Sequence, residues 1–205
     1  MESFLGLIKL RIKKGSNLKA RDTRTSDPYV SVTMGEQSFL GLIKLRIKKG
    51  SNLKARDTRT SDPYVSVTMG EQQLRTSVVR GTLNPEWNEE LTLYVKDVNT
   101  PILLTVTDKD TFTPDDNMGD AEINLKPYLE CVKMELSDLE EGHIVKQIQP
   151  DETNCLTEDS NCIWKNNKLI QEMTLRLRNV NHGEITVEIG WLTLPDSKGL
   201  SQVEF

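Results

Sequence analysis

Among its 205 residues the chain has three cysteines, two histidines and 5% aromatic residues, and each shortage closes a class of function. Cys131, Cys155 and Cys162 cannot make a disulfide framework, so the sequence reads as a protein of a reducing, cytosolic compartment. Cys155 and Cys162 lack a second pair and a nearby histidine, which is not zinc spacing. His143 and His182 lie in loop-like stretches and read as surface residues. Glycines are scattered, and there is neither a nucleophile motif nor a phosphate loop, so the chain is not expected to be an enzyme itself. No apolar run nears the ~18 residues that span a bilayer. Glu2 is acidic and Lys9 and Arg11 interrupt the first apolar stretch, which argues against a signal peptide. Position 2 is not glycine and Gln202-Val203-Glu204-Phe205 holds no cysteine, so no lipid anchor is expected. Membrane contact would have to be peripheral.

The charge is unevenly spread. Residues 1–72 carry fourteen Lys/Arg against seven Asp/Glu, while the whole chain sums to −5. A basic segment joined to an acidic body suggests a molecule that turns one side toward anionic lipid. With no reading helix and no aromatic stacking motif, nucleic acid is not the expected partner.

Residues 3–37 and 38–72 are identical over 35 positions. Repeat architectures show diverged copies in larger number, so this is a duplication of one segment. Each copy holds two strand patterns and a loop bearing two aspartates. In the second copy Ile43, Leu45 and Ile47 alternate with Lys44, Arg46 and Lys48, an apolar-in, basic-out strand. One domain has one place for such a pair, and the second copy runs directly into the strand pattern that follows. Residues 1–37 are therefore expected to be an accessory segment, with Asp22 and Asp27 as a spare acidic set, and 38–205 the domain.

The densest chemistry lies at Asp108-Lys109-Asp110-Thr111-Phe112-Thr113-Pro114-Asp115-Asp116, directly after the apolar pattern Ile102 to Thr107. Read as an extended strand, Asp108 and Asp110 share a face, and Asp116 returns across a short loop. Clustered carboxylates repel one another and suit a hard cation wanting six to eight oxygens. It is not an EF-hand loop, because Phe112 and Thr113 stand where that loop needs an oxygen ligand and a glycine. Upstream, Asp57 and Asp62 bracket the loop between Leu42–Ile47 and Tyr64–Met69, and Asn84-Pro85 launches a strand at Trp87.

These motifs, with Arg56-Asp57, Ser61-Asp62-Pro63, Met118-Gly119-Asp120-Ala121-Glu122-Ile123, Asn154-Cys155-Leu156 and Leu175-Arg176-Leu177-Arg178-Asn179-Val180, resemble the plant C2-domain abscisic-acid-related family from Phe39 onward. The resemblance implies an all-β fold, an eight-stranded antiparallel C2 sandwich binding calcium between loops at one end. It implies two Ca²⁺ ions held by Asp57, Asp62, Asp108, Asp110 and Asp116, with the backbone carbonyls of Arg56 and Lys109. Phe112 at a loop tip, and outward Lys44, Arg46 and Lys48, are the expected contacts to an anionic phospholipid membrane; solvated or inward-packed roles for them weigh about equally.

Strands are expected near 74–79, 87–95, 102–107, 118–125, 172–180 and 184–192, the last two as a hairpin across Asn181-His182-Gly183 and the C-terminal one closing the sheet. Residues from about 126 to 168 form an insertion, starting with a short helix at Lys126-Pro127-Tyr128-Leu129-Glu130 and otherwise irregular or weakly stranded. The resemblance makes the insertion a contact region for PYR/PYL/RCAR abscisic acid receptors. It thus implies a calcium-dependent adaptor at the plasma membrane, with the nucleus as a second location. The alternative it offers is activation of an Obg-like NTPase, for which Arg75, Arg80, Arg176 and Arg178 are unranked candidate arginine fingers.

Overall fold

The computed structural model describes residues 40–56, 60–110, 114–134, 136, 139–193, 199–200 and 203. Strand β1 (Gly41–Ser51) shows the expected alternation: Ile43, Leu45 and Ile47 are fully buried, while Lys44, Arg46 and Lys48 face outward. It pairs antiparallel with β4 (Glu86–Val95) on one edge and with β10 (Glu184–Leu192) on the other. The sheet continues through β9 (Lys168–Arg176), β8 (Ser160–Lys165) and β7 (Ile144–Ile148), giving the order β4-β1-β10-β9-β8-β7. The facing sheet is β3-β2-β5-β6, made of β3 (Gln72–Arg75), β2 (Pro63–Met69), β5 (Ile102–Asp108) and β6 (Asp116–Ile123). Val65, Val67, Leu104 and Val106 from this sheet join Ile43, Leu45, Leu93, Val187 and Ile189 from the other in one core. Period-two patterning on both sheets is what makes that interior apolar.

The antiparallel sandwich is as expected, with eight of its strands, β1 to β6, β9 and β10, forming the expected core of the two layers. The described residues add two more: of the two expectations, irregular or weakly stranded, the stranded one holds for the insertion. After helix α1 (Lys126–Lys133), which carries proline in its first turn, it forms the hairpin partners β7 and β8, extending the larger sheet. Asn166 and Asn167, both at positive φ (51° and 57°), make the two-residue turn into β9. The C-terminal strand does close the sheet against β1, but from an interior position between β1 and β9.

Two expected strands end early. Strand β3 stops at Arg75, where the Thr76 hydroxyl accepts the Val65 N–H at 3.0 Å in place of the Thr76 carbonyl, although the Thr76 N–H still donates to the Val65 carbonyl at 3.0 Å. Strand β9 stops at Arg176 rather than continuing to 180. Asn179 adopts φ 64°, and Arg178 crosses to the other sheet, where it exchanges backbone hydrogen bonds with Asp120 at 2.7 and 3.2 Å. Its guanidinium also pairs with Asp120 and Glu122, so this segment stitches the two layers together.

The described strands β1 and β2 come from the second copy; Asp22 and Asp27 lie outside the described residues. Only Gly70-Glu71 separates β2 from β3, with Gly70 at φ 57°. Using the first copy instead would replace this tight turn by a loop of about 37 residues, costing roughly 2–3 kcal/mol in closure entropy.

Gly119 marks the tightest point of the inter-sheet stitch. It sits at φ 119°, and a Cβ there would lie 2.8 Å from both Leu177 Cβ and Val180 Cγ2. Gly119→Ala should therefore cost about 2–4 kcal/mol. Gly142→Ala, at φ 84° with open space around it, should cost about 1 kcal/mol. Urea unfolding of both variants measures the contrast.

Candidate functional site

Three loops meet at the end of the sandwich where β2 begins and β5 stops. Asp108 is the last residue of β5 and keeps the inward direction of Ile102, Leu104 and Val106, so a carboxylate falls where the core alternation calls for an apolar side chain. It is 1% exposed. Its Oδ1 accepts the Asp62 N–H at 2.6 Å, and its Oδ2 is buried without a partner. An unmet buried carboxylate oxygen costs on the order of a few kcal/mol, which is hard to reconcile with a purely structural role.

Asp62 ties the loops to one another. Its Oδ1 accepts the Gly81 N–H at 2.8 Å, its carbonyl accepts the Lys109 N–H at 3.0 Å, and the Ser61 carbonyl accepts the Thr82 N–H at 2.9 Å. The first loop is held from within by the Arg56 N–H on Ser61 Oγ at 3.1 Å, and from across by the Arg56 guanidinium on the Asn117 carbonyl. Asp116 stands directly opposite Asp108 in the β5–β6 register. Asp110 lies beyond the end of β5, so strand alternation does not place it; its N–H is bonded to Asp115 Oδ1 at 3.1 Å. Asp57 and Phe112 lie outside the described residues.

Among the described residues no group of three or more His, Cys, Asp or Glu side chains is gathered closely enough to hold an ion. The donor chemistry nevertheless fits calcium: all the candidate donors are oxygens, and one of them, Asp108 Oδ2, is buried and unmatched.

Asp115 is the residue that sequence reasoning passed over. It is half of an ion pair with Lys109 at 2.8 Å and accepts the Tyr64 hydroxyl at 3.0 Å, so it braces the β5–β6 loop, the second of the two acidic loops, against β2. The hydrogen bond from Lys109 holds its carboxyl below the usual range. Burial, and then the bond to Asp115, pushes the Tyr64 phenol up. The available signal was Tyr64 itself, placed two residues after Asp62. Arg80 is exposed at this same end, next to the Gly81 N–H that binds Asp62.

The outward basic residues of β1 have acidic company. Lys44 pairs with Glu90 at 2.7 Å, Lys48 pairs with Glu172, and Arg46 stands opposite Glu90 and Glu188 in register. The other candidate arginines are engaged as well. Arg176 donates to the carbonyls of Leu156 and Asn154 at 3.1 and 2.7 Å, pinning the insertion, and Arg75 lies 5.7 Å over the Tyr64 ring.

The C2 domain family model matches residues 6–39 and 41–144, so the first copy is matched as well as the second. The chain is 52% identical to protein C2-DOMAIN ABA-RELATED 4 of Arabidopsis thaliana over 200 residues, covering 98% of this chain and 93% of that protein. It is 47% identical over 197 residues to GTPase activating protein 1 of Oryza sativa subsp. indica, covering 96% and 98%. Among solved structures, the calcium-bound tandem C2 domains of extended synaptotagmin 2 align with TM-score 0.52 at 20% identity, over 76% of this chain and 46% of that one. A single C2 domain of plant extended synaptotagmin 1 aligns with TM-score 0.50 at 20% identity, over 75% and 95%. At that identity the structural likeness speaks for the sandwich alone.

A buried charge with an unmet oxygen should weigh on the metal-free fold. Asp108→Asn keeps an acceptor for the Asp62 N–H and removes the charge. In excess chelator this variant should be more stable than the parent, by about 1 kcal/mol. Urea titration with chelator present measures it; a loss of stability would make Asp108 a structural residue.

Proposed function

Because the chain belongs to the C2-domain abscisic-acid-related family, we propose that it is a calcium-dependent phospholipid-binding adaptor that brings PYR/PYL/RCAR abscisic acid receptors to the plasma membrane. The observation that carries the reading is Asp108, a buried carboxylate with a free oxygen at the meeting point of three loops. Asp57, Asp62, Asp108, Asp110 and Asp116 would hold two calcium ions, with the carbonyls of Arg56 and Lys109. Calcium, when bound, supplies charge neutralisation and open coordination positions for headgroup phosphate oxygens.

The chain's own residues do the rest. The hydrogen bonds that Asp62 accepts from the Gly81 and Lys109 N–H groups fix the spacing of the three loops. The Asp115–Lys109 pair and the Tyr64 hydroxyl keep the second loop upright. Phe112 enters the headgroup layer, and Arg80 offers an exposed cation beside the phosphates. Lys44, Arg46 and Lys48 contribute less than three free charges would, since near neighbours already balance them. No helix among the described residues is long and apolar enough to cross a membrane, in keeping with a peripheral contact.

A second reading, activation of an Obg-like NTPase, is favoured by the likeness to a protein named GTPase activating protein 1. Arg176 and Arg178 are occupied by the fold, which leaves the exposed Arg80 as the better finger. Nucleotide turnover by a purified NTPase, with and without the protein, separates this role from lipid binding.

Asp108→Ala combined with Asp110→Ala should abolish calcium-dependent sedimentation with phosphatidylserine liposomes while the circular dichroism spectrum stays that of a folded sheet protein. Undiminished sedimentation would remove calcium gating from the proposal.

Saturating calcium should also raise the unfolding midpoint, through a stability gain of roughly 2.7 kcal/mol per site at a hundredfold excess over the dissociation constant. The copies should differ in this respect. Asp57→Ala with Asp62→Ala should lose the gain, whereas Asp22→Ala with Asp27→Ala should keep it. Thermal scans in calcium and in chelator compare them; equal losses would mean that the first copy takes part in the site.

A further inference from the structure

The larger sheet is two strands wider than the one it faces, so the inner side of its far end needs another cover. Helix α1 supplies part of it, with the Tyr128 hydroxyl on the Leu169 carbonyl at 2.7 Å. The loop between β7 and β8 supplies more, running antiparallel beside β9. Leu156 bridges Leu175, and the Arg176 and Thr157 N–H groups bond to the Cys155 and Thr174 carbonyls at 2.8 and 2.9 Å. The Arg176 guanidinium fastens the same loop through the carbonyls of Leu156 and Asn154. Between this loop, the first turn of α1, the end of β6 and β9 lies a cavity of about 140 Å³.

Its apolar wall is Ile123, Pro127, Ile148, Leu156, Met173 and Leu175. One inward position of β9 breaks the pattern. Gln171, between Leu169 and Met173 on the buried row, is 5% exposed and lines the cavity. Its Nε2 donates to Ser160 Oγ at 2.8 Å, and that hydroxyl donates in turn to the Glu172 carbonyl at 2.8 Å. With the serine proton committed, the amide cannot be turned round without losing a bond, so its oxygen is the end left to the cavity. No donor among the described residues is bonded to that oxygen. The other polar side chains of the lining are engaged. Asp151 Oδ1 accepts the Thr153 hydroxyl and N–H, Asn154 Oδ1 accepts the Leu156 N–H, Asn124 Oδ1 accepts the Lys126 N–H, and Glu122 pairs with Arg178.

One unmet acceptor in a mostly apolar wall suits water poorly, since a buried water wants about two to four polar partners, and an apolar cavity of about 150 Å³ takes up benzene. Met173 favours an aromatic occupant, because a thioether makes good contacts with ring edges. We infer that this cavity is a binding site for a small aromatic ring bearing one hydroxyl, with the ring among Ile148, Leu156, Met173 and Leu175 and the hydroxyl donating to Gln171 Oε1. The ring gives the wall the contacts a void denies it, and the hydroxyl satisfies the acceptor. Because the β7–β8 loop forms one side of the cavity, occupancy holds that loop against β9.

The test titrates the full-length protein with phenol and, separately, with benzene, the same ring without the donor, while the methionine methyl resonances are followed. The Met173 methyl should shift saturably, with Met69 and Met118, which do not line the cavity, as references. Phenol should bind several-fold more tightly than benzene. Gln171→Met keeps the volume and removes the acceptor, so it should bring phenol down to the level of benzene, with benzene still bound. Ile148→Trp, filling the cavity from the end of β7, should remove both. Amide exchange over residues 151–156 should slow with phenol bound. A Met173 methyl that stays in place, or drifts linearly in step with the references, would overturn the proposal. So would equal affinity for the two solutes in the parent, or a preference for phenol that survives Gln171→Met. The parent titration decides between these outcomes whether or not the variants fold.

Discussion

Strand β1 is the member on which the larger sheet depends, because it alone joins β4 to β10 and thereby the early part of the chain to its end. Everything its side chains face is supplied from far away in sequence. Its inner row, Ile43, Leu45 and Ile47, is buried against residues of both layers, and its outer row meets Glu90, Glu172 and Glu188. Long-range pairing of this kind carries a closure entropy that local structure cannot offset, so the strand's specificity has to come from both faces at once. The charge matching serves that end. It also lowers the net charge that the basic row of β1 presents.

The loop end of the sandwich, where β2 begins and β5 stops, shows the opposite economy. There the fold places Asp108 on an inward-facing strand position and leaves one of its oxygens unmet. The surrounding hydrogen bonds do not relieve that atom; they align the loops around it, through Asp62 to Gly81 and Lys109. Stability is given up where a ligand can return it, which is how binding sites commonly depart from an otherwise consistent fold. Asp115 and Lys109 compensate nearby with a pair that is partly exposed and worth correspondingly little in free energy, but which fixes the second loop in place.

Much of this was legible in the residues. Period-two patterns located β1, β2, β4, β5 and β10 to within a few residues, and Lys126-Pro127 marked the start of α1. The misses share a cause. Strand β9 ends because Asn179 turns to positive φ and Arg178 is drawn to Asp120, an event between two sheets that a local pattern does not register. The β7–β8 hairpin has weak alternation because part of it faces α1 rather than the main core, so its period is blurred. At the proposed site, the candidate aspartates were picked out by type and spacing. Asp115 was not, since its partners Lys109 and Tyr64 become neighbours only when β2 and β5 pair.

The duplicated segment shows what sequence identity cannot decide. Two copies with the same 35 residues have the same propensities, the same burial pattern and the same acidic loop, so no property of the segment itself can select one. What differs is the chain on either side. The second copy reaches β3 through Gly70-Glu71, a turn that needs the positive φ glycine provides, and the ladder Met69–Gln72 follows directly. Any exchange of copies would open that turn into a long loop while leaving every side-chain contact unchanged. The preference is thus entropic and set by connectivity, and it is modest in size.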